Sequence, residues 1–169
     1  MDEKFLVKLA KQGDVDAFGK LYEGVYKKLY RYAVYALHNE QDAQDAVSET
    51  VIDAFSFIRK LKSEEAFEGW IFKILANKCK KKMREYYVYG QEIGEENMPS
   101  EDSDPEERMD VRKCFFRLDQ VESMIVAMHV LFGYKSRETA EILGLNENTV
   151  RSKEKRALEK MAVYLQEVR

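Results

Sequence analysis

The sequence predicts an all-α chain of two small helical modules joined by an acidic connector. Three observations carry this. Apolar side chains recur at steps of three and four in both halves, no alternating stretch of useful strand length occurs, and turn residues concentrate in one segment between the halves. Both prolines, Pro99 and Pro105, fall within residues 88–107 together with Gly90, Gly94, Ser100 and Ser103, which is linker punctuation. The same segment holds eight acidic residues and no Lys or Arg, a charge of −8. Residues 1–87 carry 16 basic and 14 acidic side chains, net +2, and residues 108–169 carry 12 and 9, net +3. The formal charge of −3 for all 169 residues therefore conceals two mildly basic modules around an acidic, poorly apolar tether that should not pack a core.

In the first module Phe18, Leu21, Tyr22, Val25 and Leu29 form one helical stripe. Val47, Val51, Ala54, Phe55 and Ile58 form a second, and Phe67, Trp70, Ile71, Ile74 and Leu75 a third. In the second module the stripes are Val111, Cys114, Phe115 and Leu118, then Val121, Met124, Ile125 and Met128. A long last helix carries Val150, Ala157, Leu158, Met161 and Leu165. Each module is small, so modest stability and a role for partner contacts are expected. With 45% hydrophobic and 35% charged residues, disorder across the whole chain is excluded. No apolar run approaches the ~20 residues of a membrane helix, and the start is charged, so neither membrane insertion nor a signal peptide is expected and a cytoplasmic protein is. Cys79 and Cys114 are far apart in sequence, with no CxxC and two histidines in all, so neither a disulfide framework nor a zinc site is suggested.

Residues 136–151 read as two helices joined by a tight turn. Ala140 is small where two helices must cross, and Gly144 sits where the chain must turn at positive φ. Asn146 suits the N-cap of the second helix, Glu147 its first turn, and Val150 the face packed back on the first helix. Lys135 is no capping residue, so Ser136 is expected to start the first helix one residue late. The outward face then offers Thr149, Arg151, Ser152, Lys155 and Arg156. Arginine can bind guanine bidentately in the major groove while hydroxyls and lysines hold phosphates. A solvated basic face on an ordinary helical hairpin competes with that reading.

Lys73, Lys78, Lys80, Lys81, Lys82 and Arg84 crowd a helix of the first module, with Asn77 among them. Such a helix can follow a phosphate backbone while amide and aromatic groups meet bases, as single-stranded DNA requires. An amphipathic helix with a solvated charged side is the plainer alternative, and Phe67 and Trp70 fit a core as well as a base platform. Asp42, Asp45, Glu49 and Asp53 recur at three and four on one face. That spacing could bind a divalent cation or serve acid/base work. No histidine, phosphate loop or nucleophile accompanies it, so a docking face for a basic partner is preferred to an enzyme, and no metal or cofactor is expected. Tyr22, Tyr26 and Tyr30 read as packing with hydroxyls at the rim.

The order of these features resembles the extracytoplasmic-function sigma factors of bacterial RNA polymerase. The resemblance rests on Leu6-Val7 with Gly13-Asp14 and Ala17-Phe18, on residues 42–49, on residues 67–71 with Asn77, and on residues 149–152 with Arg156-Ala157. It implies a region 2-like domain over 1–87, an acidic linker over 88–107 and a region 4-like helix-turn-helix domain over 108–169. It further implies that Asp42, Asp45, Glu49 and Asp53 dock on the clamp helices of the largest subunit of core RNA polymerase. The loop from Arg59 to Glu65, with Leu61, Lys62 and Ser63, would form a pocket for a flipped base of the minus-ten element, with Asn77, Lys78 and Lys81 on non-template bases and phosphates. Thr149, Arg151, Ser152, Lys155 and Arg156 would read the minus-thirty-five duplex, and the earlier helices of that module would meet the polymerase flap. The connector would run toward the RNA exit path. Promoter DNA, core polymerase and an anti-sigma protein, in many relatives membrane-anchored, are the implied partners. Departures are Lys81 where many relatives have aspartate, Val51 and Leu61 where aromatics are common, and Lys135 at a usual cap.

Overall fold

The computed structural model describes residues 1–89 and 109–168, apart from the side chains of the residues 109, 110 and 168. Eight α-helices account for most of them: α1 (Glu3–Lys11), α2 (Val15–Leu37), α3 (Glu40–Phe57), α4 (Phe67–Tyr89), α5 (Met109–Arg117), α6 (Gln120–Val126), α7 (Ser136–Leu143) and α8 (Glu147–Val168). Two short 3-10 turns, Ile58–Lys60 and Glu64–Ala66, lie between α3 and α4, and a π-helical stretch, Ala127–Leu131, prolongs α6. Of the connector expected over 88–107, Val88 and Tyr89 close α4, and the remainder lies outside the described residues.

Local signals set several helix ends. Asp14 Oδ1 accepts the Ala17 N–H at 3.0 Å and starts α2, and Asn39 Oδ1 accepts the Asp42 N–H at 2.9 Å and starts α3. Between them His38 closes α2 in the left-handed region, φ 54°, its N–H donating to Val34 C=O at 2.8 Å. At α6 the Asp119 carboxylate takes the Glu122 N–H and the Glu122 carboxylate takes the Asp119 N–H, a reciprocal capping box.

The three stripes of the first module meet in one bundle. Val7, Leu21, Leu29, Val47, Ala54, Ile58, Phe67, Ile71 and Leu75 are all buried there. Two expected core positions, one in each module, are exposed: Leu158 is 41% exposed, and Phe55, 43% exposed, rests edge-on against Phe18 with ring centroids 5.2 Å apart. Leu158 faces outward while its neighbour Ala157 is fully buried.

The two modules do not stand apart. From Tyr32 to Leu37 every residue of α2 is buried, as is His38 after it, which no single-sided helix allows, and the second side of this segment packs on α6 and on Phe115 of α5. Tyr35 stacks on Phe115, His38 tilts over Phe116 at 4.7 Å, and Phe72 of α4 meets Phe132 and Tyr134. One continuous apolar core results, and each module supplies the partner surface that its small size leaves wanting.

Candidate nucleic-acid and docking interfaces

The helix-turn-helix is built as its spacing requires. Gly144 ends α7 at φ 66°, Leu145 N–H reaches back to Ala140 C=O at 2.9 Å, and Asn146 Oδ1 accepts the Asn148 N–H at 2.8 Å. α7 begins at Ser136 with no side-chain cap from Lys135. Val150 is 1% exposed and seats α8 on α7. Farther along, Lys160 Nζ binds both Glu122 oxygens at 2.8 and 3.0 Å. Burial works to raise the Glu122 carboxyl, but the Lys160 bond and the Asp119 N–H more than reverse it and hold it below the usual range. Arg117 of α5 lies over the Tyr164 ring and gives α8 a second tie, beside the one from α6. So anchored, α8 presents Thr149, Arg151, Ser152, Lys155 and Arg156, all exposed, on its outer half. Arg151 Nη2 meets Glu147 Oε1 at 2.6 Å, an exposed pair one turn apart that a stronger acceptor can displace.

On α4 the basic residues sort into three directions. Lys73, Asn77, Lys81 and Arg84, at steps of four, four and three, form one exposed stripe. Lys78 turns aside to Asp53 of α3, Nζ to Oδ2 2.6 Å. Lys80 turns to the other side, where its ammonium donates to Leu143 C=O at the end of α7. Burial and the neighbouring Arg84 charge hold Lys80 below the usual lysine range. Trp70 is half-buried against Phe67, which is fully in the core. Cys79, behind the stripe, is fully buried, and burial pushes its thiol up to about 12.

Lys62 and Ser63 are exposed on the loop ahead of α4. Leu61 between the 3-10 turns points inward, 5% exposed, so it is a core residue and not part of the loop's outer surface. Lys11 donates to Leu61 C=O at 2.7 Å and to Glu64 at 3.5 Å, and Lys4 pairs with Glu65, which pins the loop to α1.

The acidic face of α3 divides. Asp45 and Glu49 face outward, while Asp42 accepts the Tyr86 hydroxyl and Asp53 is held by Lys78. Periodicity alone missed the apolar part of this face: Ile52 is 64% exposed beside Glu49. The signal was in the sequence, because Ile52 falls off the stripe of Val47, Val51, Ala54 and Ile58. Tyr22, Tyr26 and Tyr30 form a ring-on-ring series along α2, with Tyr26 exposed. Among the described residues no group of three or more His, Cys, Asp or Glu is placed to hold a metal ion, and no helix is long and apolar enough to cross a membrane.

Comparison with known proteins matches both modules. The family model for Sigma-70 region 2 covers residues 21–86 and that for Sigma-70, region 4 covers residues 108–161. The chain is 26% identical over 155 residues to the ECF RNA polymerase sigma factor SigM of Mycobacterium tuberculosis, spanning 90% of this chain and 79% of SigM. It is 27% identical over 176 residues to the RNA polymerase sigma factor NccH of Alcaligenes xylosoxydans xylosoxydans, spanning 97% and 95%. Its fold is similar to that of the sigma factor RpoE from Bartonella quintana, solved in complex with the anti-sigma factor NepR: TM-score 0.72, 20% identity, 90% of this chain and 98% of that one.

Proposed function

Since the chain belongs to the sigma-70 family, as an extracytoplasmic-function sigma factor of RNA polymerase, we propose a division of its work among the surfaces just described. Asp45, Glu49 and Ile52 on α3 form the centre of the docking face for the clamp helices of core polymerase, with Asp42 and Asp53 at its edge. The stripe of Asn77 and Lys81, flanked by Lys73 and Arg84, follows the displaced strand of the minus-ten element, and Lys62 and Ser63 stand at the mouth of a base pocket. Extruding a base costs a few kcal/mol, and its capture offsets part of this, so the duplex opens by a shift of equilibrium with no hydrolysis. Arg151, Ser152, Lys155, Arg156 and Thr149 read the minus-thirty-five duplex in the major groove. The acidic linker, residues 88–107, connects the two activities.

The observation that carries this reading is that both basic faces stay outward while the modules share a core. The described form is then a closed one. Two elements about 25 base pairs apart lie ~85 Å apart along a duplex at ~3.4 Å per base pair. Lys80 on α4 touches the end of α7, so the same molecule must part its modules before both elements can be read together. An anti-sigma protein, as seen with RpoE of Bartonella quintana, is the partner expected to hold a form unable to reach DNA. The work is cytoplasmic, beside polymerase.

Transcription from a promoter library with core polymerase tests this. Specific transcripts are expected only when the protein is added; failure to bind core or to direct initiation defeats the assignment. Tight duplex binding by the free protein would also count against it.

A further inference from the structure

Lys78 lies off the exposed stripe of α4, on the flank that faces α3. Its Nζ is 2.6 Å from Asp53 Oδ2, the two side chains being 25% and 37% exposed. Eight residues on, the Tyr86 hydroxyl donates to Asp42 at the other end of the acidic face. Burial first, then that hydrogen bond, holds the Tyr86 phenol well above its ordinary range. The helices run antiparallel, and both end carboxylates of the docking face are taken by the helix that carries the strand-binding stripe. An ammonium cannot serve Asp53 and a DNA phosphate in full at once.

We propose that Asp53–Lys78 is an exchangeable pair that links docking to strand capture: a cation of the polymerase takes up Asp53, and Lys78 is released to a phosphate of the captured strand. The proposal rests on the docking and capture roles given above. The chemistry suits exchange. A single, partly exposed ion pair contributes little net free energy, so a competing cation can displace it. Lysine is a point charge on a flexible four-carbon stem and can swing between acceptors without moving α4. Meanwhile Tyr86–Asp42 keeps the two helices in register. Docking therefore adds one phosphate contact to α4, and free protein grips stray single strands less tightly by that one contact.

The test is anisotropy titration of a fluorescein-labelled 12-nucleotide single-stranded DNA pool across a salt series. It is run on the full chain alone and on its complex with core polymerase. In the complex, Lys78→Gln should lower affinity several-fold and flatten the log–log salt slope by ~0.7, the increment for one phosphate on a single strand. In the free chain the same change should have less than about a twofold effect, because Lys78 is already engaged. Asp53→Asn in the free chain should raise affinity several-fold and steepen the slope by the same ~0.7, and adding Lys78→Gln to it should cancel both. Lys78→Arg should retain binding in the complex, and thermal melts establish that each variant folds. Equal losses from Lys78→Gln in free and docked forms, or an Asp53→Asn variant with unchanged affinity and slope, overturn the exchange while leaving strand capture standing. If the parental complex does not bind the labelled pool more tightly than core alone, strand capture on α4 itself fails, and the exchange with it.

Discussion

The Tyr35 ring lies stacked on the Phe115 ring, centroids 4.2 Å apart and planes 21° from parallel, and this contact joins the last turns of α2 to α5. Both side chains are almost completely buried. Stacked aromatic pairs typically add ~0.5 to 1.5 kcal/mol beyond the area they bury. Tyr35→Leu and Phe115→Leu should each destabilise by ~1 to 3 kcal/mol in urea unfolding. The double variant should lose less than the sum by ~0.5 to 1.5 kcal/mol. Strict additivity would mean that the rings pack independently and that the module contact lies elsewhere.

Acid should loosen the same junction. His38 is 4% exposed, tilted on Phe116, with Nε2 3.4 Å from Ser123 Oγ of α6. Burial lowers its imidazole to about 4, and contact with the Tyr35 backbone and the Asp119 charge opposes this only in part. The unfolded chain takes up this proton near pH 6.5 and the folded chain only near 4. Stability is therefore whole above pH 6.5 and falls as pH drops from 6.5 to 4, by up to ~3 kcal/mol. Thermal melts of the parent and of His38→Asn, which tolerates the left-handed backbone, should diverge over this window, with the variant the flatter. Parallel curves would remove His38 from the account.

Arg151→Ala should cost about 1 to 3 kcal/mol of base discrimination and relax the preference at one upstream position. Promoter-library transcription reads this directly. A preference profile that keeps its shape while weakening uniformly would make Arg151 a phosphate contact.

Glu49→Lys should weaken binding to core polymerase without changing which promoters are chosen. Asp42→Asn should behave differently, because Asp42 is occupied by Tyr86: its loss should show in the melting temperature more than in core affinity. Native gel shifts with core and thermal melts separate the two. Equal effects on core binding would place Asp42 at the centre of the docking face and not at its edge.

How far the chain could be read in advance depended on the range of the interaction. Gly144, Asn146 and Val150 were legible because a tight turn, an N-cap and a buried face each demand particular chemistry from residues a few positions apart. The junction of the modules was not, since a 3.6-residue stripe says which side of a helix is apolar and not what covers it. One clue was available: Tyr32 to Leu37 is an unbroken apolar run, and a helix apolar on all sides must be enclosed on all sides. The site was legible in part. The five outward residues of α8 emerged where expected, whereas composition alone could not show that Lys78 and Lys80, inside one basic cluster, are each committed to a different neighbour.

The shared core has a consequence for chain continuity. The halves are held by ring and methyl contacts that would persist if the peptide between them were severed. In the closed form the connector's contribution is then an effective concentration, which changes only slowly with its length. Once the modules part, the same segment becomes the whole of their association and sets how far apart two DNA elements can lie. Lengthening it should thus leave the closed state nearly untouched while widening the range of spacings a single molecule can bridge.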